Sequence, residues 1–100
     1  MPEQRKSKRF ELRLPLELVR NGPERISEMG ETRNLSSTGV LFHTPCLVEL
    51  GQHVEYLITL PASTQGSDVR IRCVGKVIRQ ANDEEFAVTL ERYEFVRNGA

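Results

Sequence analysis

Apolar and polar residues alternate along most of the chain. Leu12, Leu14, Leu16 and Leu18 are separated by Arg13, Pro15 and Glu17, the two-residue period of a half-buried strand. Val54, Tyr56, Ile58 and Leu60 repeat it against Glu55, Leu57 and Thr59. Val69, Ile71, Cys73, Gly75 and Val77 share one parity, with Arg70, Arg72 and Lys76 on the other. Phe86, Val88 and Leu90 form a last clear run, and Val40, Leu41 and Phe42 a short apolar one. Residues 25–33 read as a weaker strand, because Ile26 and Met29 break the alternation and Gly30 implies a bulge. Val74 and Ile78 are apolar on the polar side of their strand, so Gly75 is expected at a bulge or a corner. The six aromatic residues fall mostly at core parity.

Turn signals separate these runs. Asn21-Gly22-Pro23 and Asn82-Asp83-Glu84 are tight turns, Pro45 and Gly51 bracket a loop, and residues 61–67 form a polar connection. Pro15 has no N–H for a ladder, which places it at a sheet edge or bulge. Residues 91–97 fit either a short C-terminal helical turn or an extended strand end. Six short strands with frequent turns predict an all-β domain, a six-stranded antiparallel β-barrel whose closure removes exposed edges. The expected division is a flexible N-terminal arm over residues 1–9 and a barrel domain over residues 10–97.

Charge sharpens that division. Fourteen basic and fourteen acidic side chains cancel over 100 residues. Residues 1–9 nevertheless carry Arg5, Lys6, Lys8 and Arg9 against Glu3 alone, which leaves the body acidic. A duplex DNA or RNA binder shows a broad basic face, and a basic arm on an acidic body suits a small anion better. A solvated terminus has the same composition. Cys46 and Cys73 form no C-x-x-C pair and no metal spacing with His43 and His53, and Cys73 reads as a reduced core residue. No membrane-length apolar run and no signal-peptide segment occur, so a cytoplasmic protein without membrane insertion is expected. No base serves Ser36 or Ser37, and no carboxylate pair or metal cluster is placed for catalysis. The expectation is no enzyme, no metal and no cofactor.

Two strings carry candidate chemistry. Arg5 to Arg9 is an R-x-x-x-R pattern, and two guanidinium forks four residues apart can meet one ligand. Each fork can grip a phosphate or the O6/N7 edge of guanine, and its flat face can stack on a purine. Asn34-Leu35-Ser36-Ser37-Thr38-Gly39 is N-x-S-x-x-G, a polar turn ending in glycine. Asn34 and Ser36 can bond their own turn, and Gly39 allows a close approach. Structural turns use the same residues for the same reasons, so each string alone is weak.

In order and about twenty-five residues apart, with a strand starting straight after Gly39, the two strings resemble those of the PilZ domain family. Arg9-Phe10 and Arg13 leading into Leu14-Pro15-Leu16 are similar to that family's entry into its first strand. Val74-Gly75-Lys76-Val77-Ile78-Arg79 is similar to its long strand near the barrel's end. The resemblance runs over residues 4–90. It implies a barrel that binds the bacterial second messenger cyclic di-GMP at its surface. Arg5 and Arg9 would grip guanine and phosphate. Asn34 would contact a guanine edge and help orient the arginines, with Ser36 and Gly39 lining the site. Asn34 takes the amide option where a carboxylate also occurs in the family, which weakens the pairing expected with arginine. Many relatives carry glycine in the last strand, where this chain has Phe86-Ala87-Val88-Thr89-Leu90.

The implied function is a receptor and effector whose arm, disordered when free, folds over the ligand and alters the surface shown to a downstream protein. The alternative is an adaptor of the same fold that binds a protein and not the nucleotide. A single-stranded nucleic-acid barrel would need several exposed aromatics as stacking platforms, so no DNA or RNA partner is expected.

Overall fold

A computed structural model of the chain describes residues 12–45, 48–60 and 69–97. Arg5, Arg9 and the expected arm, together with Cys46 and the 61–67 connection, lie outside the described residues. Among the described residues seven strands follow in order: β1 (Pro15–Asn21), β2 (Glu24–Leu35), β3 (Gly39–His43), β4 (His53–Leu60), β5 (Val69–Asn82), β6 (Glu85–Thr89) and β7 (Arg92–Arg97). The sheet runs β4-β1-β2-β3-β6-β5-β7, and β4 also pairs with β5. That pairing closes six antiparallel strands into the barrel the alternation predicts and leaves β7 as an outer strand.

The interior follows the two-residue period. Leu16, Leu18, Val40, Phe42, Val54, Tyr56, Ile58, Cys73, Val77, Phe86 and Val88 form one buried cluster. Phe42 and Tyr56 meet at a centroid distance of 5.9 Å. The Tyr56 hydroxyl donates to the Thr89 carbonyl at 3.2 Å, so the one polar tip in this cluster of rings is satisfied. Burial pushes the Tyr56 phenol far above its ordinary range, and the Cys73 thiol, also buried, up to about 12. Cys73 is a core thiol, as its parity indicates.

Short links are explained by single residues. Gly22 takes a φ of 62° in the two-residue connection between β1 and β2, a value that favours glycine. Asn82 Oδ1 accepts from the Glu84 N–H at 3.0 Å, the side-chain turn that Asn makes readily. Pro15 is the first residue of β1, where a missing donor is tolerated.

Two local expectations change, at Gly30 and for the burial of Tyr93 and Phe95, and two that were left open resolve, at Gly75 and in residues 92–97. Gly30 lies in regular register opposite Leu16, and the bulge of that hairpin falls at Ile26–Ser27. Glycine is required at position 30 because a Cβ there would lie 2.3 Å from the His43 carbonyl oxygen. Gly75 is the corner, where β5 passes from β7 to β6; the accompanying bulges come later, at Ile78 and Ala81. Residues 92–97 are a strand, not a helical turn. β6 and β7 are one return run along β5, broken at Leu90–Glu91. Outside the barrel wall, Tyr93 and Phe95 are 61% and 65% exposed, whereas core parity had implied burial. They contact each other edge to face at 6.2 Å.

Candidate functional site

The site is built by two bulges. In β2 the register steps from Thr32 opposite Phe42 to Asn34 opposite Leu41, so Arg33 is the extra residue. Without it, Asn34 would share the inward face of Thr32. With it, Asn34 joins Leu41 on the outer surface, the re-aiming that bulges produce. Arg33 is held by Glu31 at 2.8 Å and Glu85 at 3.2 Å, which fixes the bulge and neutralises its charge.

The turn after Asn34 is braced by Ser36. Its hydroxyl accepts from the N–H groups of Thr38 at 3.3 Å and Gly39 at 3.2 Å, and donates to the Gly39 carbonyl at 3.2 Å. One donor and two acceptor positions are all a hydroxyl has, so Ser36 shapes the turn from within. The Ser36 N–H donates to the Gly39 carbonyl at 3.0 Å, and the Leu90 N–H donates to the Thr38 carbonyl at 2.9 Å. The turn is thereby tied to the joint between β6 and β7. A Cβ on Gly39 would lie 2.8 Å from the Val88 carbonyl oxygen, so close strand approach explains this glycine.

In β5 the register steps from Val77 opposite Val88 to Arg79 opposite Ala87, with Ile78 as the extra residue. The insertion carries Arg79 out of the parity of buried Val77 and onto the surface. Asn34, Ser36, Gly39, Leu41, Ala87 and Arg79 then border one open cleft of about 110 Å³. That is the space of roughly four waters, too small to enclose a dinucleotide. Neither the Asn34 amide nor the Arg79 guanidinium bonds to any described residue, in contrast to Arg20, Arg33, Arg70 and Arg72, which all meet carboxylates. Arg79 is the residue that strand alternation alone does not place here. Its signal is Ile78, an apolar residue on the polar side of the strand.

The chain's entry is fastened beside this cleft. Buried Thr32 accepts from the Leu14 N–H at 2.8 Å and donates to the Leu12 carbonyl, and its own N–H donates to the Leu14 carbonyl at 2.9 Å. Thr32 is two residues from Asn34. Arg9, outside the described residues, is three residues before Leu12 in the sequence. A larger groove of about 340 Å³ lies elsewhere, against Glu55, Arg72, Tyr93 and Glu94. Three of its charges are paired, Arg72 with Glu55 at 3.3 Å and with Glu94 at 3.9 Å, and Arg92 lines it without an ion pair to a described residue.

The sequence model of the PilZ domain matches residues 3–98. The chain belongs to the PilZ domain family. That family is one of cyclic di-GMP-binding effector domains, not of catalysts. The match covers the whole barrel of this PilZ domain and both strings, R-x-x-x-R and N-x-S-x-x-G. No curated protein matches the chain. Among the described residues no helix is long and apolar enough to cross a membrane.

Proposed function

We propose that this PilZ domain is a receptor for cyclic di-GMP that performs no chemistry and passes the binding event to a downstream protein in the bacterial cytoplasm. One observation carries the reading. Asn34 and Arg79, both uncommitted to any described residue, flank a surface floor of Leu41 and Ala87, and the chain bearing Arg5 and Arg9 is anchored two residues away. A flat base on the floor and two phosphates under the arm's guanidinium groups match that layout.

Magnitudes are adequate. A micromolar ligand requires about −8 kcal/mol, and charge-assisted hydrogen bonds contribute about 1.5–3 kcal/mol each. Two arginines with stacking reach that figure after the cost of ordering the arm. The Leu90–Thr38 bond supplies a route from the occupied cleft to β7 and its exposed Tyr93 and Phe95.

The test is calorimetric titration of cyclic di-GMP into the wild type and Arg9→Lys, with GTP as control ligand. Specific micromolar binding that the lysine variant loses supports a receptor that uses arginine's fork as well as its charge. No heat from a folded wild type leaves an adaptor that engages its protein partner without the nucleotide.

A further inference from the structure

The outer surface of the barrel contains a continuous row across four strands. Asn34 pairs with Leu41, Leu41 with Ala87, and Ala87 with Arg79. Both ends of this row exist only because of bulges, at Arg33 in β2 and at Ile78 in β5. Two independent insertions bring the row's two polar ends onto one face of the sheet. The ends are three strand spacings apart, about 14 Å along the sheet. Between them Leu41 and Ala87 offer an apolar floor, lowered at Ala87 by its single methyl group. Among the described residues no acidic side chain borders the cleft, and Arg79 has no ion pair with any of them.

This arrangement has the form of a base reader. Arginine is a donor-only fork. Guanine presents two acceptors, O6 and N7, along one edge, whereas adenine presents N7 beside an N6 amino donor. A guanine lying on Leu41 and Ala87, with its N1–H/N2–H edge toward the Asn34 oxygen, turns its O6/N7 edge toward β5. We infer that Arg79 is a specificity-determining residue that grips the O6/N7 edge of this guanine, so the cleft selects guanine dinucleotides over adenine dinucleotides. The inference rests on the receptor reading above and adds a third arginine, placed by the barrel itself and not by the arm.

The experiment is titration of cyclic di-GMP and cyclic di-AMP into wild type, Arg79→Ala and Arg79→Lys, with circular dichroism as the fold control. Arg79 is exposed and bonds nothing described, so neither variant threatens the core. The expected result is a loss of cyclic di-GMP affinity of roughly ten- to hundred-fold in Arg79→Ala. The lysine variant should fail to restore it, and the preference for guanine over adenine should shrink in both. Unchanged affinity and preference in Arg79→Ala, with a wild type that binds, overturns the inference and leaves the receptor reading intact. Full rescue by lysine overturns edge reading in favour of simple charge attraction. A folded wild type that binds neither dinucleotide overturns both.

Discussion

Replacing Thr32 by valine isolates the device that fastens the chain's entry to the barrel. Valine keeps the shape and β-branching of threonine but cannot bond Leu14 N–H or the Leu12 carbonyl. The two lost hydrogen bonds contribute about 0.5–1.5 kcal/mol each. Thr32 is fully buried, so the new methyl group returns about 0.8 kcal/mol. The net loss is about 0.2–2.2 kcal/mol, centred near 1 kcal/mol, which at that centre lowers the melting midpoint by roughly 4–8 °C in a domain of this size. The Leu12–Leu14 segment is held at Thr32, two residues from Asn34, and on the receptor reading its release lowers cyclic di-GMP affinity about three- to tenfold, near 1 kcal/mol. Thermal melts and titrations of wild type, Thr32→Val and Thr32→Ser check this. Serine keeps the hydroxyl and should recover most of the affinity. A valine variant as stable and as tight-binding as wild type, or a serine variant no better than valine, refutes the anchoring argument.

Other outcomes follow from the same geometry. Gly39→Ala places a Cβ 2.8 Å from the Val88 carbonyl oxygen, so β3 and β6 must part; a stability loss of about 1–3 kcal/mol in denaturant melts, with weakened ligand binding, is expected. Gly75→Ala is more severe, because its Cβ would lie 1.7 Å from the Thr89 carbonyl oxygen; a loss at or above the ~3 kcal/mol end of overpacking costs should appear in the same melts. Burial raises the Cys73 thiol from 9.0 to about 12, so the unfolded chain ionises first as pH rises. Stability is therefore full below about pH 9 and falls between about pH 9 and pH 12, and Cys73→Val should flatten part of that decline in pH-dependent melts. Over the neutral range the buried thiol should resist a thiol reagent until the protein unfolds.

The strand alternation made most of the barrel legible, because Leu16, Leu18, Tyr56, Ile58, Cys73, Val77, Phe86 and Val88 recur at a two-residue period within their strands. What it left open were the positions where the period slips. Ile26, Arg33 and Ile78 each add one residue to a strand, and where the surplus falls depends on the partner strand, which local pattern does not contain. Hence the bulge expected at Gly30 lies at Ile26–Ser27, and Arg79 appears at the cleft only once β5 is paired with β6. The tail escaped for a related reason. Tyr93 and Phe95 do alternate with Arg92 and Glu94, but their parity matches inward-facing Cys73 and Ile71 on a strand that has left the barrel wall. Asn34, Ser36 and Gly39 were legible as a unit because a turn is local. Ser36 bonds its own turn and Gly39 admits a close strand approach, as their residue types indicate, whereas the Asn34 amide bonds no described residue.

The most direct test of the account is an amide chemical-shift map recorded as cyclic di-GMP is added to the isotopically labelled chain. The account predicts saturable shifts concentrated at residues 34–39, 41, 79 and 87, with the N-terminal amides from Arg5 to Leu12 joining them. Shifts confined to other faces of the barrel, or an unchanged spectrum at millimolar ligand, would contradict it.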